Sequence, residues 1–130
     1  MICICSIWAI LAQTAVWAKK TNSDPVVMCS CRGCQRRTGA PVHVGAWFPF
    51  EDVRIEGETK ANTRNDGDMG LELTYNFCPN CGTSIWWEGI PGKIGIAGGC
   101  FADPDLPPPT MSLYEQTKHP WINAPEGTPK

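Results

Sequence analysis

The sequence has few charges, no long basic run and no apolar segment long enough to cross a bilayer. Charged residues make up 18% of the chain and hydrophobic residues 42%, which is the composition of a folded protein and not of a disordered one. The formal net charge is −2, and basic residues never occur more than two in succession. Contacts with a nucleic-acid backbone therefore have little electrostatic support. We expect neither a nucleic-acid nor a membrane partner.

The first 25 residues are an atypical N-terminal segment. An apolar run ends at Ala18 and is followed by two lysines, but it is too short for a membrane span. Val16 and Ala18 resemble the small-residue cleavage site of a secretory signal, although no positive residue precedes the run. We interpret the run instead as a buried strand or helix, within a single domain that spans residues 1–130.

Abundant turn-forming residues indicate the fold class. Gly 13 and Pro 12 favour short strands and many turns over long helices. The apolar pattern and the turn residues predict several short strands, with loops at 58–69 and 103–109. The predicted strands are Val26–Met28, Val42–Phe50, Val53–Glu56, Leu71–Phe77, Thr83–Glu88 and Lys93–Ala97, with a short strand or turn near Leu113. In the longest strand, Val42, Val44, Ala46, Phe48 and Phe50 are expected on one face.

Eight cysteines are the most informative feature. Seven of them form three tight clusters, Cys3-x-Cys5, Cys29-x-Cys31-x-x-Cys34 and Cys78-x-x-Cys81, and Cys100 stands alone. An even count in a small protein is compatible with a disulfide framework. Cysteines one or two residues apart rarely bridge each other, however, whereas two thiolates from one tight turn suit a single metal ion. The clusters therefore favour zinc.

The clusters divide naturally into two zinc sites. Cys78 and Cys81 form a zinc knuckle that supplies two of the four ligands of a structural site, and Cys3 and Cys5 are the natural second pair. Cys29, Cys31 and Cys34 offer three thiolates, which leaves one position open, as in catalytic zinc sites. The alternative is that Cys100 or His43 closes this second site. Our default for Cys100 is a buried free thiol.

Several segments together resemble the family of glutathione-dependent formaldehyde-activating enzymes and centromere-protein-V-like proteins. The first is the run from Cys29 to Ala40, similar to the family's C-x-C-x-x-C-R/K-x-x-G segment. The second is the knuckle from Phe77 to Thr83. Gly99 to Pro104 and Lys118 to Trp121 are similar to the family's tail. The family usually has glycine where Ser6 follows the first pair of cysteines.

The resemblance implies a mainly β, Mss4-like fold that is stabilised by bound zinc. It implies a structural zinc on Cys3, Cys5, Cys78 and Cys81 and a catalytic zinc on Cys29, Cys31 and Cys34. It also implies a zinc-dependent carbon–sulfur lyase, in which a small thiol such as glutathione adds to an aldehyde such as formaldehyde.

The side chains near the second cluster suggest roles in such a reaction. Arg36 and Arg37 are candidates for binding a carboxylate of the thiol, the alternative being a solvated surface pair. Trp47 and Phe48 are candidate pocket walls, with core packing favoured for Phe48, and His43 is a candidate proton shuttle.

A different function class remains open. In it, two structural zinc ions support a non-catalytic interaction module that presents Trp86, Trp87 and Trp121 to a protein or chromatin partner. Clustered thiolates indicate a reducing compartment, so we expect a cytoplasmic protein.

Overall fold

Strands predominate, which confirms the predicted mainly β fold. The computed structural model describes residues 2–4, 15–18, 25–101 and 106–130, with the backbone alone at 2–4. The elements are β1 Ile2–Ile4, β2 Ala15–Ala18, β3 Val26–Cys29, α1 Arg32–Thr38, β4 His43–Pro49, β5 Val53–Glu56, β6 Lys60–Arg64, β7 Leu73–Phe77, β8 Ser84–Glu88, β9 Lys93–Ala97 and β10 Met111–Leu113.

The strands form two sheets. The larger has seven strands in the order β10-β3-β4-β9-β8-β7-β6, and the smaller has three in the order β1-β2-β5. All pairs are antiparallel except β10 with β3, which run parallel. The parallel pair brings the C-terminal part of the chain beside the strand that ends at Cys29.

One cluster of buried apolar residues draws on both sheets. Its fully buried members include Val16 from β2, Phe48 from β4, Ile85 from β8 and Ile96 from β9. Successive residues of a strand point to opposite faces. One face of the larger sheet therefore packs in the core. The opposite face is free to form a binding site.

The predicted alternation in β4 is confirmed over most of its length. Ala46 and Phe48 are buried and Val44 packs against the core, so Phe48 is a core residue. Phe50 does not continue this face: the chain turns at Phe50 into a short 3₁₀ segment, and its side chain is 64% exposed.

Two elements were not predicted from the sequence. The predicted loop at 58–69 contains β6, an edge strand that pairs with β7 and whose first four residues are all exposed. With no buried face, β6 has no apolar alternation to reveal it. The segment after Cys31 forms helix α1, which ends at Gly39 in the left-handed conformation (φ 69°). At seven residues, α1 is too short for a helical repeat to show.

The N-terminal expectations are testable only in part. The run was expected to form a buried strand or helix, and Ala15–Ala18 forms a strand in which Val16 and Ala18 are buried. The rest of the run lies outside the described residues. Leu106–Pro109 has no regular structure, as expected. Within the described part of the chain, no helix is long and apolar enough to cross a membrane.

Candidate active site

The three cysteines of the middle cluster converge where β3 passes into α1. Cys29 is the last residue of β3, Cys31 caps α1, and Cys34 lies in its first turn. The Cys31 sulfur accepts a hydrogen bond from the backbone N–H of Cys34 at 3.2 Å. The three sulfur atoms lie within 4.8 Å of one another, and Cys29 and Cys31 are buried. Short sequence spacing thus produces a three-sulfur cluster.

The start of α1 is tied to three other segments. The Gln35 side-chain amide donates to the carbonyl oxygens of Ser30 at 2.7 Å and Thr117 at 3.0 Å. The Arg32 backbone N–H donates to the carboxylate of Asp68 at 3.2 Å. A Cβ atom on Gly33 would lie 3.1 Å from the Cα atom of Gly67, so glycine allows the loop before β7 to approach closely. These contacts fix the geometry of the sulfurs.

The donor set fits a soft metal ion such as zinc. Zinc–sulfur bonds of about 2.3 Å in tetrahedral geometry place sulfurs about 3.8 Å apart, within the 4.8 Å limit found here. Within the described residues, neither His43 nor Cys100 joins the cluster. The Cys100 sulfur instead lies 3.7 Å from the carbonyl oxygen of Ser84. The described residues thus offer three donors here.

Without metal, the three thiols differ in acidity. Hydrogen bonding from Cys34 lowers the pKa of Cys29 although burial opposes it. Burial raises the pKa of Cys31. The hydrogen bond to Cys29, followed by burial, raises the pKa of Cys34 strongly. Cys29 is therefore the first thiolate to form, and a cation is needed to ionise all three together.

Beside the sulfurs lies a cavity of about 310 Å³ on the face of the larger sheet opposite the core. Ligand pockets of this size are common in proteins. Cys29 and Cys34 both line it, so two of the three sulfurs have access to whatever enters. Its walls are mostly apolar and include Val27, Trp47, Leu73, Tyr75, Trp87 and Leu113. Trp47, a predicted wall residue, does line the cavity.

Two glycines make room for the buried ring of Trp87. A Cβ atom on Gly95 would lie 2.2 Å from the indole Nε1, and one on Gly45 would lie 2.7 Å from a carbon of the same ring. The ring therefore lies directly over β4 and β9, which only residues without a side chain allow. Trp47 meets it edge-on at 5.8 Å between centroids, so two tryptophans form one continuous aromatic wall.

Arg37 and Arg36 occupy different environments although they are adjacent. The Arg37 guanidinium stacks on Tyr75 at 4.1 Å from the ring centroid, lies 5.4 Å from that of Trp87, and donates through Nη1 to the Ser84 hydroxyl at 2.9 Å. Its Nε and Nη2 atoms are buried and have no partner. Arg36 is exposed and does not line the cavity. The surface-pair alternative therefore fails for Arg37 and describes Arg36.

His43 lies opposite Cys29 in the β3–β4 pairing and lines the cavity. Burial and the nearby positive charge of Arg37 lower its pKa to about 3. The imidazole is therefore neutral at physiological pH, and its buried Nε2 has no partner. It is placed to form a hydrogen bond with a guest, and it is a weak base for proton transfer.

The predicted knuckle lies in the turn between β7 and β8. The backbone N–H of Gly82 donates to the carbonyl of Cys78 at 2.9 Å, and that of Cys78 donates to Thr83 at 2.9 Å. Gly82 has φ 76°, a conformation that favours glycine. Cys78 is buried and Cys81 exposed. Cys5 lies outside the described residues, as does the side chain of Cys3.

The tryptophan surface proposed for an interaction module does not exist as expected. Trp87 is only 3% exposed and forms the cavity wall, and Trp86 packs against the core. Trp121 alone is well exposed. Sequence reasoning also missed Tyr75 and Ser84, which hold Arg37. Gly45 in β4 and Gly95 in β9, which face Trp87, were the available signal, because glycine inside a strand marks a close approach.

Comparisons with known proteins agree with this architecture. A crystal structure of a Rhodobacter sphaeroides protein superimposes with a TM-score of 0.58, at 17% sequence identity, covering 80% of this chain and 92% of that one. At this identity, the likeness concerns the fold alone. Comparison with curated proteins gave no significant match. The family described as "Glutathione-dependent formaldehyde-activating enzyme" matches residues 3–117. The chain belongs to the glutathione-dependent formaldehyde-activating enzyme family.

Proposed function

We propose that the protein is a zinc-dependent carbon–sulfur lyase that adds a small thiol, such as glutathione, to an aldehyde, such as formaldehyde, or catalyses the reverse reaction. The observation that carries this proposal is the position of the three-sulfur cluster. Among the described residues it has three donors, and it borders a cavity large enough for a small molecule. A structural zinc site would have no need of such a cavity.

Cys29, Cys31 and Cys34 would hold the catalytic ion. Zinc bound there supplies a Lewis acid that lowers the pKa of an incoming thiol, so that a thiolate is present at neutral pH. In the addition, a sulfur–carbon bond forms and the carbonyl π electrons move to oxygen. The proton released by the thiol ends on that oxygen. The product is a hydroxymethyl thioether, and no oxidant or reductant is needed.

The other cavity residues orient the reactants. Trp47, Trp87 and Tyr75 exclude water, which strengthens the electrostatic interactions inside. Of the two arginines predicted to bind a carboxylate, we propose that Arg37 binds the carboxylate of one of the two reactants, because it lines the cavity and its Nε and Nη2 atoms are buried without partners. The neutral His43 can donate a hydrogen bond to the carbonyl oxygen in the tautomer protonated at Nε2.

We further propose a structural zinc on Cys78 and Cys81, completed by Cys3 and Cys5. The tight turn around Gly82 supports the half of the site that is described. Clustered reduced thiols at Cys29, Cys31 and Cys34 suit a reducing compartment, and we therefore propose a cytoplasmic location.

The test compares Cys31→Ala with Cys100→Ala in the zinc-loaded protein. Formation of the hydroxymethyl thioether from glutathione and formaldehyde is followed by NMR, and zinc is counted by atomic absorption. We expect Cys31→Ala to lose turnover and one zinc ion per chain while Cys100→Ala keeps both. Full turnover in Cys31→Ala would end the proposal.

A cobalt-substituted protein tests the open position independently of turnover. Cobalt bound by three thiolates has visible absorption bands that change when a fourth ligand enters. We expect glutathione to change these bands in the wild type. A spectrum that glutathione leaves unchanged would mean that the ion is already saturated, as in a non-catalytic module.

A further inference from the structure

Arg37 is a rigidly held cation inside the cavity. Tyr75 and Trp87 contact its guanidinium through their rings, and the Ser84 hydroxyl accepts a hydrogen bond from Nη1 at 2.9 Å. These contacts use one nitrogen and leave Nε and Nη2 buried without partners. Nε and Nη2 form one edge of the planar guanidinium, the fork that matches the two oxygens of a carboxylate.

The cavity supplies no acidic partner for this cation. Among its described lining residues are Arg37, Lys93 and the neutral His43, but no aspartate or glutamate. With zinc bound, the three thiolates would leave a net charge of −1, but neither Nε nor Nη2 donates to any of the sulfurs. Buried N–H groups of a charged side chain that lack hydrogen-bonding partners are unfavourable. A guest with an anionic group would satisfy it.

The rest of the wall suits an apolar guest. Val27, Leu73 and Leu113 come from β3, β7 and β10, and Trp47 and Trp87 form the aromatic wall between them. A one-carbon aldehyde covers little of this surface. An apolar body would displace water from most of it, which is favourable in proportion to the area covered.

We propose that the aldehyde substrate of this protein is an apolar aldehyde with one carboxylate group, whose carboxylate binds the Nε and Nη2 atoms of Arg37 while its apolar body lies against Trp47 and Trp87. This inference rests on the proposed function and names the substrate class of the same site. Cys34 and Arg37 are one helical turn apart on α1, so the anchored aldehyde lies beside the sulfur cluster.

Binding of inert probes tests the inference without turnover. Phenylacetate, phenylacetamide and acetate are titrated into the zinc-loaded protein, and quenching of tryptophan fluorescence reports occupancy beside Trp47 and Trp87. We expect phenylacetate to bind about tenfold more tightly than phenylacetamide, because charge-assisted hydrogen bonds contribute about that difference. Acetate should bind more weakly than phenylacetate, since it lacks the apolar body.

Two arginine variants assign the preference to one residue. Arg37→Gln should bring the affinities for phenylacetate and phenylacetamide to within about twofold of each other, with the amide affinity retained. Arg36→Gln, an exposed neighbour on the same helix, should keep the wild-type preference. Loss of the preference in Arg36→Gln, or its retention in Arg37→Gln, would overturn the proposal.

If Arg37→Gln does not fold, experiments on the wild type alone can test whether Arg37 binds the carboxylate. In protein labelled with ¹⁵N-arginine, phenylacetate should shift one buried Nε–H resonance and phenylacetamide should not. Equal affinity for the two probes in the wild type would refute the inference. If the preference is found but no thiol adds to any aldehyde, the cavity still binds an apolar carboxylate at Arg37, but the lyase proposal falls and this ligand is not an aldehyde substrate. If formaldehyde is turned over but phenylacetate and phenylacetamide bind equally well, the lyase proposal stands and the carboxylate-aldehyde inference falls.

Discussion

At the scale of single residues, the cavity depends on glycines that accommodate the Trp87 ring. Gly95→Ala places a methyl group 2.2 Å from the indole Nε1, so the ring must move into the cavity. We expect a loss of about 1–3 kcal/mol in the free energy of unfolding, the usual cost of overpacking a core. Urea denaturation measures the loss, and probe binding should weaken because the displaced ring occupies the cavity.

The matched control is Gly99→Ala, since a Cβ atom there would have no neighbour within 4 Å. A second test combines Gly95→Ala with Trp87→Leu. If the clash with the ring causes the loss, the double variant should be less destabilised than the sum of the two single variants. Additive effects would mean that Gly95 matters for some reason other than its contact with Trp87.

The amino-acid sequence revealed the three-cysteine cluster but not the environment of the arginines. Cysteine spacing was enough to bring Cys29, Cys31 and Cys34 together, because the donors lie within six consecutive residues. The difference between Arg36 and Arg37 depends on Tyr75 and Trp87, which come from other strands. Contacts between residues distant in sequence leave no local pattern to read.

At the scale of elements, the strands with one buried face were predicted and those without were not. β4 alternates between the core and the cavity, and the predicted bounds of β4, β8 and β9 agree with the structure within one residue or two. β6 is exposed along nearly all its length and is defined by its pairing with β7. Helix α1 buries no residue completely, so its formation depends on caps and on the contacts of Gln35.

Gln35 is therefore the residue of α1 whose loss should disturb the whole element. Its amide donates to Ser30 and Thr117 at 2.7 and 3.0 Å. Gln35→Ala should lower the free energy of unfolding by about 1–3 kcal/mol, because two carbonyl acceptors lose a partner. It should also release zinc to a chelator faster, since α1 carries Cys34. Arg36→Ala, exposed on the same helix, is expected to stay within about 0.5 kcal/mol of the wild type.

The segment after β10 should give stability a dependence on pH. The Glu115 carboxylate pairs with Lys118 at 2.7 Å and with Ser112. These contacts, led by Lys118, lower its pKa below the ordinary value of 4.5. A lowered pKa in the folded state means that the contribution is full above the unfolded-state value and is lost as pH falls through the folded-state value. Stability should therefore decrease with acidification below about pH 4.5.

Glu115→Gln removes the titrating group while keeping a side chain of similar size. The variant should show a shallower loss of stability below pH 4.5 than the wild type, measured as the urea midpoint at successive pH values. Glu126→Gln is the control, because that exposed residue should leave the profile as it is. An unchanged profile in Glu115→Gln would place the acid sensitivity elsewhere.

At the scale of the whole molecule, one sheet serves two purposes. One face of the seven-stranded sheet completes the core with the smaller sheet, and the other forms the cavity beside the sulfur cluster. The core face follows from apolar periodicity. The cavity face does not follow from apolar periodicity. The cavity forms because the strand order brings residues of β3, β4, β7 and β8 together. That order is set by pairing between segments distant in sequence.

The proposed structural zinc would connect these two sheets. The Cys78–Cys81 knuckle lies in the β7–β8 turn of the larger sheet, and Cys3 belongs to β1 of the smaller one. Ligands from both sheets on one ion would couple metal binding to the folding of the whole chain. Replacing Cys3 and Cys5 together by serine should therefore reduce the zinc content from two ions per chain to one and lower the melting temperature.

Zinc content and thiol binding in the same variant separate the two sites. The Cys3→Ser/Cys5→Ser protein should keep the ion on Cys29, Cys31 and Cys34, so glutathione should still change its cobalt spectrum. Cys100→Ser is the control for loss of a cysteine outside both proposed sites and should retain two ions. If the double variant also retains two, the knuckle completes its ligand set without Cys3 and Cys5. The smaller sheet would then be held to the larger one without that ion, through the shared core of Val16, Phe48 and their neighbours among the described residues.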